Sequence, residues 1–211
     1  MGSFTFYFNP MSRAMIARWA LHEAGADYDQ VLVPWDDKPA EFLEVNPMGK
    51  VPALVHHHGG HDHVVTECAA VCHYLAHTHP DAGLLPDEHE AASYFRWMFF
   101  AAGPLEAAVT AKSLGWAPKD AREQMTAGFG TYDRVVDTLD TWFCEHEYVC
   151  GDRFTMADVY VGAHVDWGME FKSITERDSF LAYAERLRGR EKYQEARAID
   201  AKLIAEAQAA N

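Results

Sequence analysis

The chain has 211 residues, of which 49% are hydrophobic, and a formal net charge of −14. That length accommodates one large domain or two small ones with buried cores. The acidic balance speaks against nucleic acid or an anionic membrane as partner, because both select basic faces.

No apolar run approaches the ~20 residues needed to span a bilayer. The start, MGSFTFYFNP, has neither a charged leader nor a small-residue cleavage site. Phe6 occupies the position where a myristoylation signal requires Ser or Thr. Four cysteines (Cys68, Cys72, Cys144 and Cys150) are too few for a disulfide framework at this length. The expectation is a cytoplasmic protein with reduced thiols.

Phe4, Phe6 and Phe8 alternate with Thr5 and Tyr7, the period of a strand. Asn9-Pro10 breaks it. From Met11 to Ala24 the period turns helical, with Met15, Ile16, Trp19 and Ala20 on one face and Gly25 closing the C-terminus. Tyr28 to Val33 predicts a second strand, and Glu41 to Val45 a short helix opened by Asp36 and Pro39. Asn46-Pro47-Met48-Gly49 is a turn, and Val51 to Val55 a third strand with Pro52 near its start. Val64-Val65 marks a fourth strand, and Thr66-Glu67 leads into a helix from Cys68 to about His77. The order β-α-β-α-β-β-α implies a small mixed sheet, with a crossover and a closing hairpin.

Residues 80–87 form a linker, after which strand patterns vanish. Helices are predicted over 88–113, 120–146, 156–171, 178–188 and 191–209. Two domains therefore follow, 1–79 and 88–211, the second all helical. Thr155-x-x-Asp158 is a capping box with Asp in place of Glu, and Phe154 with Val159 forms the matching staple. This assigns Asp158 to folding rather than catalysis.

Pro52 inside a strand removes a ladder donor. Glu67-Cys68 opens a helix, where free backbone N–H groups favour anions. The run His56-His57-His58-Gly59-Gly60-His61-Asp62-His63 falls between the third and fourth strands. It reads as a flexible turn that picks up nickel during purification, and no functional metal is expected there. Neither cysteine pair has zinc-site spacing.

Together, Asn46-Pro47-x-Gly49-x-Val51-Pro52, Thr66-Glu67 opening a helix, and Gly151-Asp152-x-Phe154-Thr155-x-x-Asp158 resemble the cytosolic glutathione transferases. The resemblance covers essentially the whole chain. Tyr7-Phe8-Asn9 with Arg13 and Arg18-Trp19 is similar to the animal alpha class. Residues 1–55 look equally like bacterial beta-class sequences, and the segment 97–106 looks bacterial. The resemblance implies a thioredoxin-like first domain, a helical second domain and a homodimer.

It further implies that glutathione is the co-substrate and that no metal is required. Val51, before a cis Pro52, would pair by backbone with the cysteinyl part. Glu67 and residue 68 would hold the γ-glutamyl end, although Cys68 stands where the family usually has Ser or Thr. Lys38, Lys50 and Trp35 lie in the region that reaches the glycine end.

The chemistry needs a thiolate, because the thiol is a poor nucleophile. A hydroxyl donor, a cation and a helix N-terminus each favour that anion. Ser12 ranks first as activator, Tyr7 second, and Arg13 as a helping cation. Tyr94, Trp97, Met98, Ala101 and Trp116 are candidates to line a pocket for an apolar electrophile. Two other readings stay open: a non-catalytic ligand-binding or assembly module of the same fold, and a glutathione-dependent peroxidase or disulfide reductase.

Overall fold

The computed structural model describes residues 2–209. The chain divides into two compact units, one made of residues 1–85 with 189–211, the other of residues 86–188.

The first unit contains β1 (Phe4–Phe8), α1 (Ala14–Ala24), β2 (Tyr28–Leu32), α2 (Ala40–Val45), β3 (Ala53–His58), β4 (His61–Thr66) and α3 (Cys68–Thr78). The sheet order is β2-β1-β3-β4. β1 pairs parallel with β2 and antiparallel with β3, and β3 pairs antiparallel with β4. This is the thioredoxin-like arrangement expected from the sequence. Phe4, Phe6 and Phe8 are buried, and the alternation turns Thr5 and Tyr7 to the opposite face. On that second face Tyr7, Val45 and Val51 pack against the buried Val33, Phe42 and Ala53.

Three boundaries depart from the sequence reading for local reasons. α1 begins at Ala14 rather than Met11, because Asn9 and Ser12 hold residues 9–13 in a turn. β3 begins after Pro52, which has no N–H to give the ladder. The histidine-rich run is not a loop. His56, His57 and His58 belong to β3, and His61, Asp62 and His63 to β4, leaving only Gly59-Gly60 as the turn.

The larger departure is α10 (Glu191–Ala209), expected in the helical domain. It packs on α1 and belongs to the first unit. Arg18 of α1, fully buried, donates from Nε to Asp200 Oδ1 at 2.8 Å. Its Nη1 reaches Tyr28 and Gln30 of β2, and its guanidinium lies 4.5 Å from the Phe8 ring centroid. Trp19 meets Tyr193 edge-on at 4.9 Å. A charged residue in a sheet-facing helix stripe requires such a partner, because an unpaired buried charge is prohibitive.

The second unit holds α4 (Ala91–Phe100), α5 (Glu106–Ser113), α6 (Ala121–Thr126), α7 (Tyr132–Glu145), α8 (Met156–Glu170) and α9 (Asp178–Arg188). The helix expected over 88–113 is interrupted by a π turn over Ala101–Leu105 containing Pro104. Proline cannot donate to the i−4 carbonyl and its ring crowds it, so the backbone widens locally. The helix expected over 120–146 is two helices. Asp120 caps α6 and Thr131 caps α7, with Gly130 at φ 67° between them.

α8 is buried almost throughout. A Cβ on Gly162 would overlap Leu187 of α9, so glycine there permits close helix approach. Asp158 accepts from the backbone N–H of Thr155 at 2.8 Å and of Val149 at 2.7 Å. It also accepts from the hydroxyls of Thr155 and Tyr183. The capping box is thus present and tied to α9 as well. Among the described residues no helix is long and apolar enough to cross a membrane.

Candidate functional site

The first unit carries a cavity of about 260 Å³. Three segments wall it: Met11, Ser12 and Arg13 after β1; Val33, Pro34, Trp35 and Lys38 after β2; and Gly49, Lys50 and Val51 before β3. The first two segments leave the ends of strands and the third enters β3, which runs antiparallel to β1, so all three meet at one edge of the sheet, the usual place for a site in a sheet of this kind.

Two buried asparagines shape these walls. Asn9 accepts from Met11 N–H at 3.0 Å and donates to the Val33 carbonyl at 3.1 Å, joining the first wall to the second. Asn46 accepts from Met48 N–H at 3.2 Å and donates to the Lys50 carbonyl at 2.7 Å, which fixes the third. Gly49 sits at φ 62° and packs near Lys38, a conformation that favours glycine. Both asparagines act through side-chain to backbone bonds, local ones at Met11, Met48 and Lys50 and one across 24 residues from Asn9 to Val33. In the sequence Asn9 and Asn46 mark turns and stand in the motifs of the family resemblance, with no wall-forming role assigned to either. An Asn at a strand or helix end beside proline was the available signal.

Ser12 is half-buried at the mouth of α1. Its Oγ donates to the Asn9 carbonyl at 2.7 Å and accepts from Ala14 N–H at 3.0 Å. Arg13 is exposed beside it, at the N-cap of α1. Tyr7, the second activator candidate, is absent from the cavity wall. It packs against Phe42 with ring centroids 5.4 Å apart.

Val51 lines the cavity, and the Val51–Pro52 peptide bond is cis. Lys38 and Lys50 are both in the wall, and Lys38 Nζ donates to the Trp35 carbonyl at 2.9 Å. Trp35 is 49% exposed and Met11 55%, so an apolar rim borders the cations. Among the described residues no carboxylate belongs to the wall, although the chain carries a net charge of −14.

Glu67 and Cys68 lie at the N-terminus of α3 and are not part of that wall. Glu67 is exposed with φ 65°. The buried Cys68 points its thiol at the Arg13 carbonyl, 3.5 Å away. That contact places α3's first turn against the turn bearing Ser12 and Arg13.

In the helical unit, Tyr94, Trp97, Met98 and Ala101 are buried. Trp97 packs against Trp142 at 5.2 Å, with the Arg96 guanidinium over both rings. Trp116 is 70% exposed beyond the end of α5. Four of these five candidates thus contribute to packing.

Known proteins bear on what such a chain is. Residues 11–78 match the family model of the glutathione S-transferase N-terminal domain, and residues 97–191 that of the C-terminal domain. Glutathione S-transferase 3 of Zea mays is 30% identical over 174 residues, covering 75% of each chain. A solved glutathione transferase from Methylococcus capsulatus superposes with a TM-score of 0.76 at 27% identity, covering 94% of this chain and 98% of that one. A glutathione transferase homologue from Sulfitobacter, solved with bound glutathione, superposes at 0.75 and 24% identity, covering 94% of this chain and 98% of its own, and shares the fold. With both domain models matched in order, the chain belongs to the glutathione S-transferase family.

Proposed function

We propose that this chain binds glutathione in the cavity of its first unit and uses Ser12 to hold the sulfur as thiolate for attack on an apolar electrophile. One observation carries the reading. Ser12, at a helix N-terminus, shares a cavity wall with Arg13, Lys38 and Lys50 and, among the described residues, with no carboxylate. A tripeptide with two carboxylates and an ionising thiol matches that wall in sign.

In this arrangement Lys38 and Lys50 receive the glycine carboxylate beside Trp35. Val51 offers its backbone to the cysteinyl part, next to Pro52. Glu67 faces the γ-glutamyl ammonium, and the Cys68 backbone N–H its carboxylate. The thiol gives its proton to solvent. The Ser12 hydroxyl then turns from the Asn9 carbonyl to donate to sulfur, while Arg13 and the start of α1 favour the negative charge. The thiolate forms a carbon–sulfur bond, and the leaving group departs with the electron pair of the bond that breaks. Met11 and Trp35 supply apolar surface at the rim. The exposed Phe95 and Phe99, one turn apart on α4, fit a homodimer contact, and a cytoplasmic location accords with four reduced cysteines.

Ultraviolet titration of bound glutathione tests the assignment. Thiolate absorbance should appear below the ordinary thiol range of about 8.5. Ser12→Ala should move it back toward that value, and Tyr7→Phe should leave it in place. A bound thiol with an unshifted titration supports a non-catalytic carrier instead. Depression retained in Ser12→Ala overturns the role of Ser12. Turnover with hydroperoxide but with no electrophilic carbon substrate would favour the peroxidase reading.

A further inference from the structure

The histidine-rich run gains a different meaning once its residues are paired. Gly59 and Gly60 both have positive φ, 62° and 80°. A two-residue turn of that kind matches the twist of a hairpin and fixes its register. His58 therefore faces His61, and His56 faces His63. Residues two apart on a strand and residues directly paired across strands share a face, so all four imidazoles project from one side of β3 and β4. His57 and Asp62 project from the other, where His57 bonds to Asp62 and Thr5.

The four-imidazole face is graded in exposure. His56 is anchored: its ring stacks on Phe4 at 4.3 Å, and its Nδ1 is 2.9 Å from the Tyr74 hydroxyl. When Nδ1–H donates to Tyr74, Nε2 keeps its lone pair, the arrangement that orients a histidine ligand. His58, His61 and His63 are exposed. The His56 ring centroid lies 5.2 Å from that of His58 and 6.3 Å from that of His63.

We propose that this face binds one divalent transition-metal ion of the zinc, nickel or copper type, with His56 as the fixed ligand and His58, His61 and His63 as ligands that turn inward. Cross-strand Cβ atoms lie about 5 Å apart, within the span of rings reaching an ion at about 2 Å. Among the described residues no three such groups stand in coordinating geometry, so binding reorients the exposed rings. An all-imidazole set selects borderline ions over magnesium or calcium. β4 is an edge strand, and an ion bridging it to β3 clips that edge in place. The site is independent of the glutathione cavity.

Calorimetric titration of the untagged full chain with zinc chloride, and copper(II) paramagnetic resonance, test this. One saturable equivalent is expected, with nitrogen superhyperfine lines in the copper spectrum and a zinc-dependent rise in melting temperature. His58→Asn with His61→Asn should weaken zinc binding by about tenfold or more. His57→Asn, on the opposite face, should leave affinity unchanged. Absence of saturation below roughly 100 μM, full affinity in the double variant, or equal loss in His57→Asn would each overturn the proposal. A second variant, His63→Asn, guards against a misfolded double variant, and unchanged glutathione affinity reports that the unit remains folded.

Discussion

Ser12 Oγ donates to the Asn9 carbonyl at 2.7 Å, so the hydroxyl proposed to serve sulfur is already committed to the backbone three residues away. The same Asn9 holds Met11 and Val33 through its side chain. Asn9→Ala removes both bonds and leaves a buried carbonyl short of a partner. The expected loss is about 1–3 kcal/mol, measured by urea denaturation. KM for glutathione should rise, because two walls of the cavity lose their tie. An unchanged KM would separate Asn9 from the site.

The wall cations bear on affinity only modestly. Lys50 is exposed, and an exposed charge pair contributes about 0.2–1 kcal/mol. Lys50→Gln should therefore weaken glutathione binding by roughly 1.5- to 5-fold. The loss should shrink as salt rises, because screening removes what the charge contributed. Quenching of Trp35 fluorescence across salt concentrations checks both trends.

Asp158 should dominate the stability of the helical unit. Burial pushes its carboxyl up to about 6, against the opposing bonds from Val149, Thr155 and Tyr183. The folded value lies above the unfolded one, so folding favours the protonated form. That contribution is complete below about pH 4 and is lost as pH rises through about 6. The stability difference between wild type and Asp158→Asn should fall across that window. Asp158→Ala strands four donors, and a loss of about 3–5 kcal/mol is expected. Chemical denaturation at several pH values measures both.

The cysteines should react unequally. Cys144 is exposed, whereas burial pushes the half-buried Cys150 thiol up to about 12. Alkylation follows thiolate fraction and access, so at pH 8 iodoacetamide should label Cys144 at least about tenfold faster than Cys150. Buried Cys68 and Cys72 should react only on unfolding. Peptide mapping by mass spectrometry gives the order.

Arg18→Ala should unfold the first unit rather than loosen it. The change leaves Asp200, whose carboxyl burial already pushes up, without its cation. Breaking a buried pair costs about 3–5 kcal/mol, comparable to the total stability of many domains. Arg18→Met with Asp200→Leu should recover much of that loss, because no charge remains to desolvate. Failure of the double variant to recover would show that the bonds to Tyr28 and Gln30 matter more.

Much of this was readable from residue order, because the deciding forces were local. The aromatic alternation at Phe4, Phe6 and Phe8, the αL position at Gly25 and the Thr155–Asp158 cap all act within a few residues. The last two helices were bounded correctly over 178–188 and 191–209. Where 191–209 docks was not legible, since the partner of Asp200 lies near the other end of the sequence. The break before Thr131 was present as Gly128, Gly130 and a capping threonine, and was outweighed by apolar spacing on either side. The six strand residues of the histidine run were masked by their polarity, which suits an edge as well as a loop. In the sequence Ser12 stands above Tyr7 because it joins a hydroxyl to a helix N-terminus; that Tyr7 packs on Phe42 is set by the sheet and is not carried by spacing.

The Arg18–Asp200 pair also bears on how the protein is made. The two residues are 182 positions apart. At about 5–20 residues per second, a ribosome needs roughly 10–40 s to deliver the second after the first. From the completion of β4 to the end of that interval the nascent sheet and α1 stand complete in sequence but carry a guanidinium without its Asp200 partner on the surface α10 will cover. The helical stretch 86–188, emerging whole in the meantime, is the part free to settle first.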